Sequence, residues 1–250
     1  MKLSNDTYSD PQEELNIQKA LFDLKDKIAK AAQSANRAKE DILLLAVSKR
    51  VPTNTILSAI KAGQQVFGEN HVQEAEKKIT ALKNIVVEAG ASPRFHLVGP
   101  LQRNKAKKAV QLFDMIQTVD TIELAQEIAL RADQHGKQQD ILIQVNISTE
   151  STKSGVMPER LTELTEQILL MKSLTLCGLM TIGSAFDGTL AQTSKIQGEF
   201  KKMRELKAQI ETKFGVKLQH LSMGMSADFE LAIKEGATIV RIGTAIFGQR

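Results

Sequence analysis

The sequence predicts an α/β protein built as one (β/α)8 barrel over residues 1–250. Three observations predict it. Eight short apolar runs alternate with helical patterns, no long linker or low-complexity segment interrupts them, and 250 residues is close to what one such barrel uses. An open doubly wound sheet is the alternative, and the eight βα units favour the barrel.

Residues 1–10 are polar and read as a flexible tail. Asp10 through Glu13 opens a helix, with Asp10 as N-cap, Pro11 in the first turn and Glu13 returning to the cap. Leu21, Leu24 and Ile28 carry it at helical spacing to about Ser34. Residues 41–48 (DILLLAVS) are apolar on both faces, as a strand buried from both sides requires. A helix at 53–62 stops at Gly63, and a short strand at 65–67 ends at Gly68. Asn70 is a candidate cap for the next helix, which buries Val72, Ala75, Ile79 and Leu82. Residues 94–98 form the third strand, followed by a Gly99-Pro100 turn and a basic helix at 102–112. The fourth strand is 115–119, with Asp120 and Glu123 as the capping box of a helix through Ala132. The fifth is 141–147, then a helix from Pro158 to Met171; the sixth is 174–182, then a long charged helix at 190–214. The seventh is 218–223, with Ser226 capping a short helix through Glu235, and the eighth is 238–242. Residues 244–250 are too few for a full closing helix, so the leading helix is expected to close the ring.

With 42% hydrophobic and 25% charged residues the chain can bury a sizeable core, which excludes disorder, collagen and coiled coil. Thirty-three basic against 29 acidic residues give +4, an excess too mild to mark a nucleic-acid binder. Cys177 is the single cysteine, so neither an internal disulfide nor a CxxC metal site is possible, and a cytoplasmic setting is expected. The amino terminus lacks an apolar signal core, and the longest aliphatic stretch, 42–47, falls far short of the roughly 20 residues of a membrane span. Aromatic residues make up 4%, with no Trp and one tyrosine, Tyr8, which limits base stacking and phenol chemistry.

In a (β/α)8 barrel the site lies at the carboxyl ends of the strands. The residues there are Lys49, Asn70, Gly99, Asn146, Met180, Ser222 to Ser226 and Arg241 to Thr244. Lys49, after a fully buried strand, is held at the mouth, where its amine can form a Schiff base; the bland alternative is a solvated loop cation. LSMGMS at 221–226, with Ser222, Met223, Gly224 and Ser226, precedes a helix, where backbone N–H groups and hydroxyls can cradle a phosphate. RIGT at 241–244 brings Gly243 and Thr244 beside it, and barrel phosphate sites commonly use these two loops. Arg241 interrupts an apolar strand, so it needs a partner: either a structural ion pair or a ligand ring nitrogen. An amine for an aldehyde, a phosphate cradle and a guanidinium for a pyridine nitrogen together describe pyridoxal 5′-phosphate, PLP. Met180 can pack against the ring or merely in the core, and Lys153 is a secondary candidate for holding a second or transiting PLP.

AVSK at 46–49, FGENHVQE at 67–74, FHLVGPLQRNK at 95–105, QVNIS at 144–148, KSG at 153–155, GLMTI at 178–182, LSMGMSADFELAI at 221–233 and VRIGTAIFG at 240–248 resemble the pyridoxal phosphate homeostasis proteins, also called proline synthetase co-transcribed homologues. The resemblance runs from about residue 42 to 248, with Arg50-Val51 and His71 as minor departures. It implies a monomeric or loosely associated barrel of the alanine racemase N-terminal-domain type, with an extra amino-terminal helix and no β domain. It also implies PLP on Lys49 and a role in carrying PLP, with apo PLP-dependent enzymes as candidate recipients, that keeps vitamin B6 and amino-acid pools balanced.

A two-base racemase needs a second base opposite the lysine, usually a tyrosine from an added β domain; no such domain is expected, and Tyr8, ahead of the first helix, is poorly placed to serve. His96 and His220 sit inside apolar strands and read as hydrogen-bonded core residues, which leaves His71 for the rival reading of a single-domain racemase. A rival of another class is nucleic-acid binding through Arg103, Lys105, Lys107 and Lys108. That run has no interleaved aromatic and reads better as a solvated helix face.

Overall fold

The computed structural model describes residues 10–88, 90–148 and 153–249. The expected tail, with Tyr8, thus falls almost wholly outside the described residues. Eight parallel strands close into a barrel in chain order: β1 (Leu43–Val47), β2 (Val66–Glu69), β3 (Arg94–Leu97), β4 (Met115–Val119), β5 (Gln139–Gln144), β6 (Leu174–Met180), β7 (His220–Ser222) and β8 (Ile239–Ile242). Closure is made by β1 against β8, with Leu45 opposite Arg241.

The strands are buried on both faces, which is why their sequences read as continuous apolar runs. Leu45, Val66, Val98, Met115, Leu142, Cys177, Met180 and Ile239 fill the barrel interior. Leu44, Ala46, Phe67, Phe95, Ile141, Leu179, Val240 and Ile242 face outward onto the helices. Pairing jumps from Ile141 opposite Leu176 to Leu142 opposite Gly178, so β6 carries an extra residue at Cys177 and its later side chains change face. Gly178 permits the close approach of β7, since a Cβ there would lie 1.9 Å from the His220 carbonyl oxygen.

Helix α1 (Pro11–Ser34) is capped by Asp10 as its sequence predicts, the carboxylate accepting from the Gln12 N–H at 2.9 Å, whereas Glu13 accepts from Thr55 Oγ1 at 2.6 Å across to the next helix instead of returning to the cap. Its stripe of Ile17, Leu21, Leu24, Ile28 and Ala32 is buried. It packs against α2 (Thr53–Lys61) on one side and against α8 (Phe229–Lys234) and α9 (Thr244–Phe247) on the other. The leading helix therefore occupies the closing place in the outer ring, as expected, and residues 244–247 add one helical turn, short of a full closing helix. The remaining helices are α3 (Val72–Glu88), α4 (Ala106–Leu112), α5 (Ile122–Gln134), α6 (Leu161–Leu169) and α7 (Leu190–Phe214).

Two expected caps are corrected. Thr121, not Asp120, caps α5, accepting from Leu124 N–H at 3.2 Å, because Asp120 lies one residue too early and accepts from the Gly155 backbone instead. Asp228, not Ser226, stands at the start of α8; its carboxylate accepts the Met225 N–H at 2.6 Å. The basic run also divides, Arg103–Lys105 forming a 3-10 turn before α4. Among the described residues no helix is long and apolar enough to cross a membrane.

Candidate functional site

A cavity of about 500 Å³ opens where β1, β2 and β8 end, within the range of roughly 300–1,000 Å³ common for small-molecule sites. Lys49, Asn70, Ser226, Arg241, Gly243 and Thr244 line it together, which brings together six residues singled out from sequence. Val47, Val98, Ile182 and Met225 supply apolar walls. Its described lining holds three cations, Lys49, Arg50 and Arg241, and no carboxylate, a composition suited to an anion. Larger hollows lie beneath α1 and at the amino-terminal end of the barrel, about 640 and 760 Å³. Two basic residues of the latter are committed to carbonyls, Lys137 to Val110 and Phe113 and Arg37 to Ile233 and Ala237.

The other sequence-selected residues, Gly99, Asn146, Lys153, Met180, Ser222, Met223, Gly224 and Ile242, do not line the cavity. Met180 is fully buried in the barrel interior, and Met223, the residue after β7, is buried in the core between barrel and helices. Ser222 is fully buried one step below the mouth. Lys153 lies in the segment after β5, its Nζ donating to the Gly183 carbonyl at 3.2 Å. That segment is tied to β5: Asn146 Nδ2 donates to the Lys153 carbonyl, Gln144 Nε2 to that of Ser154.

Gly224 shapes the turn that presents Ser226. Its φ is +91°, and its carbonyl accepts the Arg241 N–H at 3.0 Å. A Cβ there would lie 2.6 Å from Ala232 Cβ. Gly224→Ala is therefore expected to destabilise the protein by roughly 1–3 kcal/mol, read as a lower urea midpoint at unchanged slope. An unchanged midpoint would contradict this role of the glycine.

Arg241 is 5% exposed and has two protein partners: Nη1 donates to Ser222 Oγ at 2.8 Å and Nη2 to the Thr181 carbonyl at 2.7 Å. Burial lowers its pKa to about 10, which leaves it a cation at neutral pH. Ser222 Oγ donates its own hydrogen bond to Gln117 Oε1 at 2.7 Å, and Gln117 Nε2 lies 2.9 Å from His96 Nδ1. Since a guanidinium can only donate, the order of donors assigns Nδ1 of His96 as acceptor and puts its proton on Nε2. Burial, with Arg94 and His220 nearby, pushes the His96 pKa down to about 3, so the ring is neutral. His96 is thus the hydrogen-bonded core residue expected. His220, half-buried, has its Nδ1 3.4 Å from Thr238 Oγ1. The arrangement can hold an anion and present an amine and a guanidinium to one small molecule.

Sequence reasoning missed Gln117, the link between Arg241 and His96; its signal was a polar residue inside the apolar strand MIQTV. It also missed Glu69, Glu74 and Lys78, which surround the backbone at Lys49 from outside the cavity. His71 is exposed and does not line the cavity. The basic face reads as solvated: Arg103 and Lys107 are exposed, and Lys108 pairs with Glu76 at 2.7 Å.

Residues 22–250 match the family described as "Alanine racemase, N-terminal domain". Fold and site therefore define a barrel of that class. The pyridoxal phosphate homeostasis protein of Aquifex aeolicus (strain VF5) is 42% identical over 236 residues, 94% of this chain and 99% of that one. That of Escherichia coli (strain K12) is 38% identical over 236 residues, 92% and 95% of the two chains. The chain belongs to the family of pyridoxal phosphate homeostasis proteins. PipY of Synechococcus elongatus PCC7942, solved with PLP bound, is 35% identical with a TM-score of 0.75, covering 88% of this chain and all of that one. Alanine racemase of Clostridium difficile 630, at 16% identity and a TM-score of 0.69, shares the fold over 94% of this chain and 57% of its own.

Proposed function

We propose that this chain binds PLP on Lys49 and carries it reversibly, without sustained turnover of amino acids. The observation that carries this is the carboxylate-free cavity gathering Lys49, Arg241, Ser226, Gly243 and Thr244. Bound PLP would supply an aldehyde, and Lys49 would hold it through its side-chain amine. Ser226, Gly243 and Thr244 offer hydroxyl and backbone donors to the phosphate. Arg241, held by Ser222 and the Thr181 carbonyl, would offer a remaining N–H to the ring nitrogen, and a guanidinium there would keep that nitrogen unprotonated and weaken the ring as an electron sink. Asn70 lines the same cavity as Lys49. Ser222 holds Arg241 from below and Gly224 shapes the turn at Ser226, Met180 and Met223 serve the core, and Lys153 stays a secondary candidate for a second or transiting PLP.

Support comes from PipY, solved with PLP bound, and from the homeostasis names of the curated relatives. The carrier reading is preferred over a single-domain racemase because no described tyrosine or histidine lines the cavity opposite Lys49. We place the protein in the cytoplasm as a monomer that buffers vitamin B6 and amino-acid pools and hands PLP to apo enzymes.

Borohydride reduction followed by peptide mapping tests the assignment, with the pyridoxyl label expected on Lys49. A label confined to other lysines overturns it. Lys49→Ala is expected to abolish the visible absorption band while weaker, phosphate-anchored binding persists, and pyridoxal lacking phosphate is expected to bind far more weakly than PLP. Amino-acid turnover is expected several orders of magnitude below the roughly 10 per second of typical enzymes. Fast racemisation abolished by His71→Ala would replace the carrier with the racemase.

A further inference from the structure

Both peptide groups that flank the Lys49 Cα are held by one pair of side chains on α3. Lys78 Nζ donates to the Ser48 carbonyl at 2.6 Å. It also sits 2.9 Å from Glu69 Oε1 and 2.7 Å from Glu74 Oε1. Glu74 Oε1 in turn accepts the backbone N–H of Arg50. The Ser48 carbonyl precedes Lys49 and the Arg50 N–H comes after it, so the Glu74–Lys78 pair grips the chain on each side of that residue. Ser48 Oγ, donating to Glu69 Oε1 at 2.6 Å, ties the same segment to β2.

A second, independent observation is the backbone of Arg50. Its φ is +57°, a left-handed conformation that a residue with a side chain adopts rarely and at some energetic expense. The Glu74 carboxylate caps the N–H of that residue and so stabilises the conformation locally. The sharp bend at Arg50 turns the chain out of β1 as soon as Lys49 has been placed at the cavity. Neither Glu74 nor Lys78 lines the cavity, so any influence on a ligand passes through the Lys49 segment.

We propose that Glu74 and Lys78 are positioning residues that fix the backbone at Lys49 and thereby aim its amine at the ligand carbonyl. The inference rests on the reading of Lys49 as the PLP-binding amine. It predicts a separation between two ligands: PLP, which bonds to Lys49, and pyridoxine 5′-phosphate, which has the same ring and phosphate but an alcohol in place of the aldehyde. Only the first needs the amine in register.

The full-length chain is titrated with PLP, followed by the visible band of the C=N bond, and with pyridoxine 5′-phosphate, followed by calorimetry. Glu74→Ala, a substitution by a strong helix former on a partly exposed helix position, is expected to weaken PLP binding by about tenfold or more, the effect of losing one charge-assisted hydrogen bond. Binding of pyridoxine 5′-phosphate is expected to stay within about twofold of the wild type, which also reports that the barrel has folded. Glu74→Gln keeps an acceptor oxygen for the Arg50 N–H and is expected to recover most of the PLP affinity. The inference is overturned if Glu74→Ala titrates like the wild type, if it weakens both ligands alike, or if Glu74→Gln is as impaired as Glu74→Ala. A wild-type protein that binds without a C=N band would instead overturn the Lys49 reading itself.

Discussion

Replacing Lys78 by methionine is expected to lower the unfolding free energy by about 3–5 kcal/mol, because it strands a carboxylate in the space between barrel and helices. Glu69 is fully buried, and Lys78 is its counter-charge at 2.9 Å. Its other oxygen, Oε2, has no hydrogen-bond partner among the described residues. Burial already raises the Glu69 pKa above the ordinary 4.5, against the lowering effects of Ser48 and Lys78. Without Lys78 the rise is larger. A carboxyl whose pKa is raised by folding binds protons more tightly in the native state, so stability falls as pH rises through the window above 4.5. The deficit of Lys78→Met is therefore expected to be greatest at neutral pH and to shrink toward pH 4. Adding Glu69→Gln to Lys78→Met is expected to recover a large part of the loss, since a neutral amide replaces the stranded charge. Urea unfolding of the three proteins at several pH values checks this, and a deficit independent of pH would assign the loss to packing.

The second large effect is acid sensitivity from His96. Its folded-state pKa near 3 lies well below the 6.5 of an unperturbed histidine. The unfolded chain binds the proton first, so the contribution is fully present above pH 6.5 and drains away as pH falls toward 3. The slope is about 1.4 kcal/mol per pH unit, for a total on the order of 5 kcal/mol. His96→Asn keeps an acceptor near the place of Nδ1 for the Gln117 amide but cannot take up a proton. Its stability is expected to fall less steeply between pH 6.5 and 3, by one proton's worth of slope. Parallel profiles for the two proteins would show that His96 is not the group responsible.

The barrel could be read from the sequence because each strand is buried twice, and double burial writes itself as an unbroken apolar run. The mouth was equally legible, since the ends of those runs give Lys49, Asn70, Ser226, Arg241, Gly243 and Thr244 directly. Depth was not. Ser222 stands only two residues before the turn at Gly224, yet points into the barrel beneath Arg241, and the extra residue in β6 reassigns the faces of its later side chains. No local pattern announces such a bulge. The Glu69–Lys78 ion pair was hidden for a different reason: each partner looks ordinary in its own element, and only the packing of α3 on β2 reveals that both are buried. Caps shifted by a residue or two because Asp, Ser and Thr stand side by side at these turns, and tertiary partners such as Gly155 decide among them.

Closing the outer ring with α1 gives this barrel an unusual order of assembly. The guanidinium of Arg37, just beyond α1, reaches the carbonyls of Ile233 and Ala237, separations of 196 and 200 residues along the chain. A chain emerging amino terminus first makes its sealing helix at the outset, long before the surface that receives it exists. Until α8 and β8 arrive, the apolar stripe of α1 has only α2 to cover it. Such a high contact order makes ring closure a late and slow event, and a growing chain is most exposed to aggregation or chaperone capture just before its last two βα units are released.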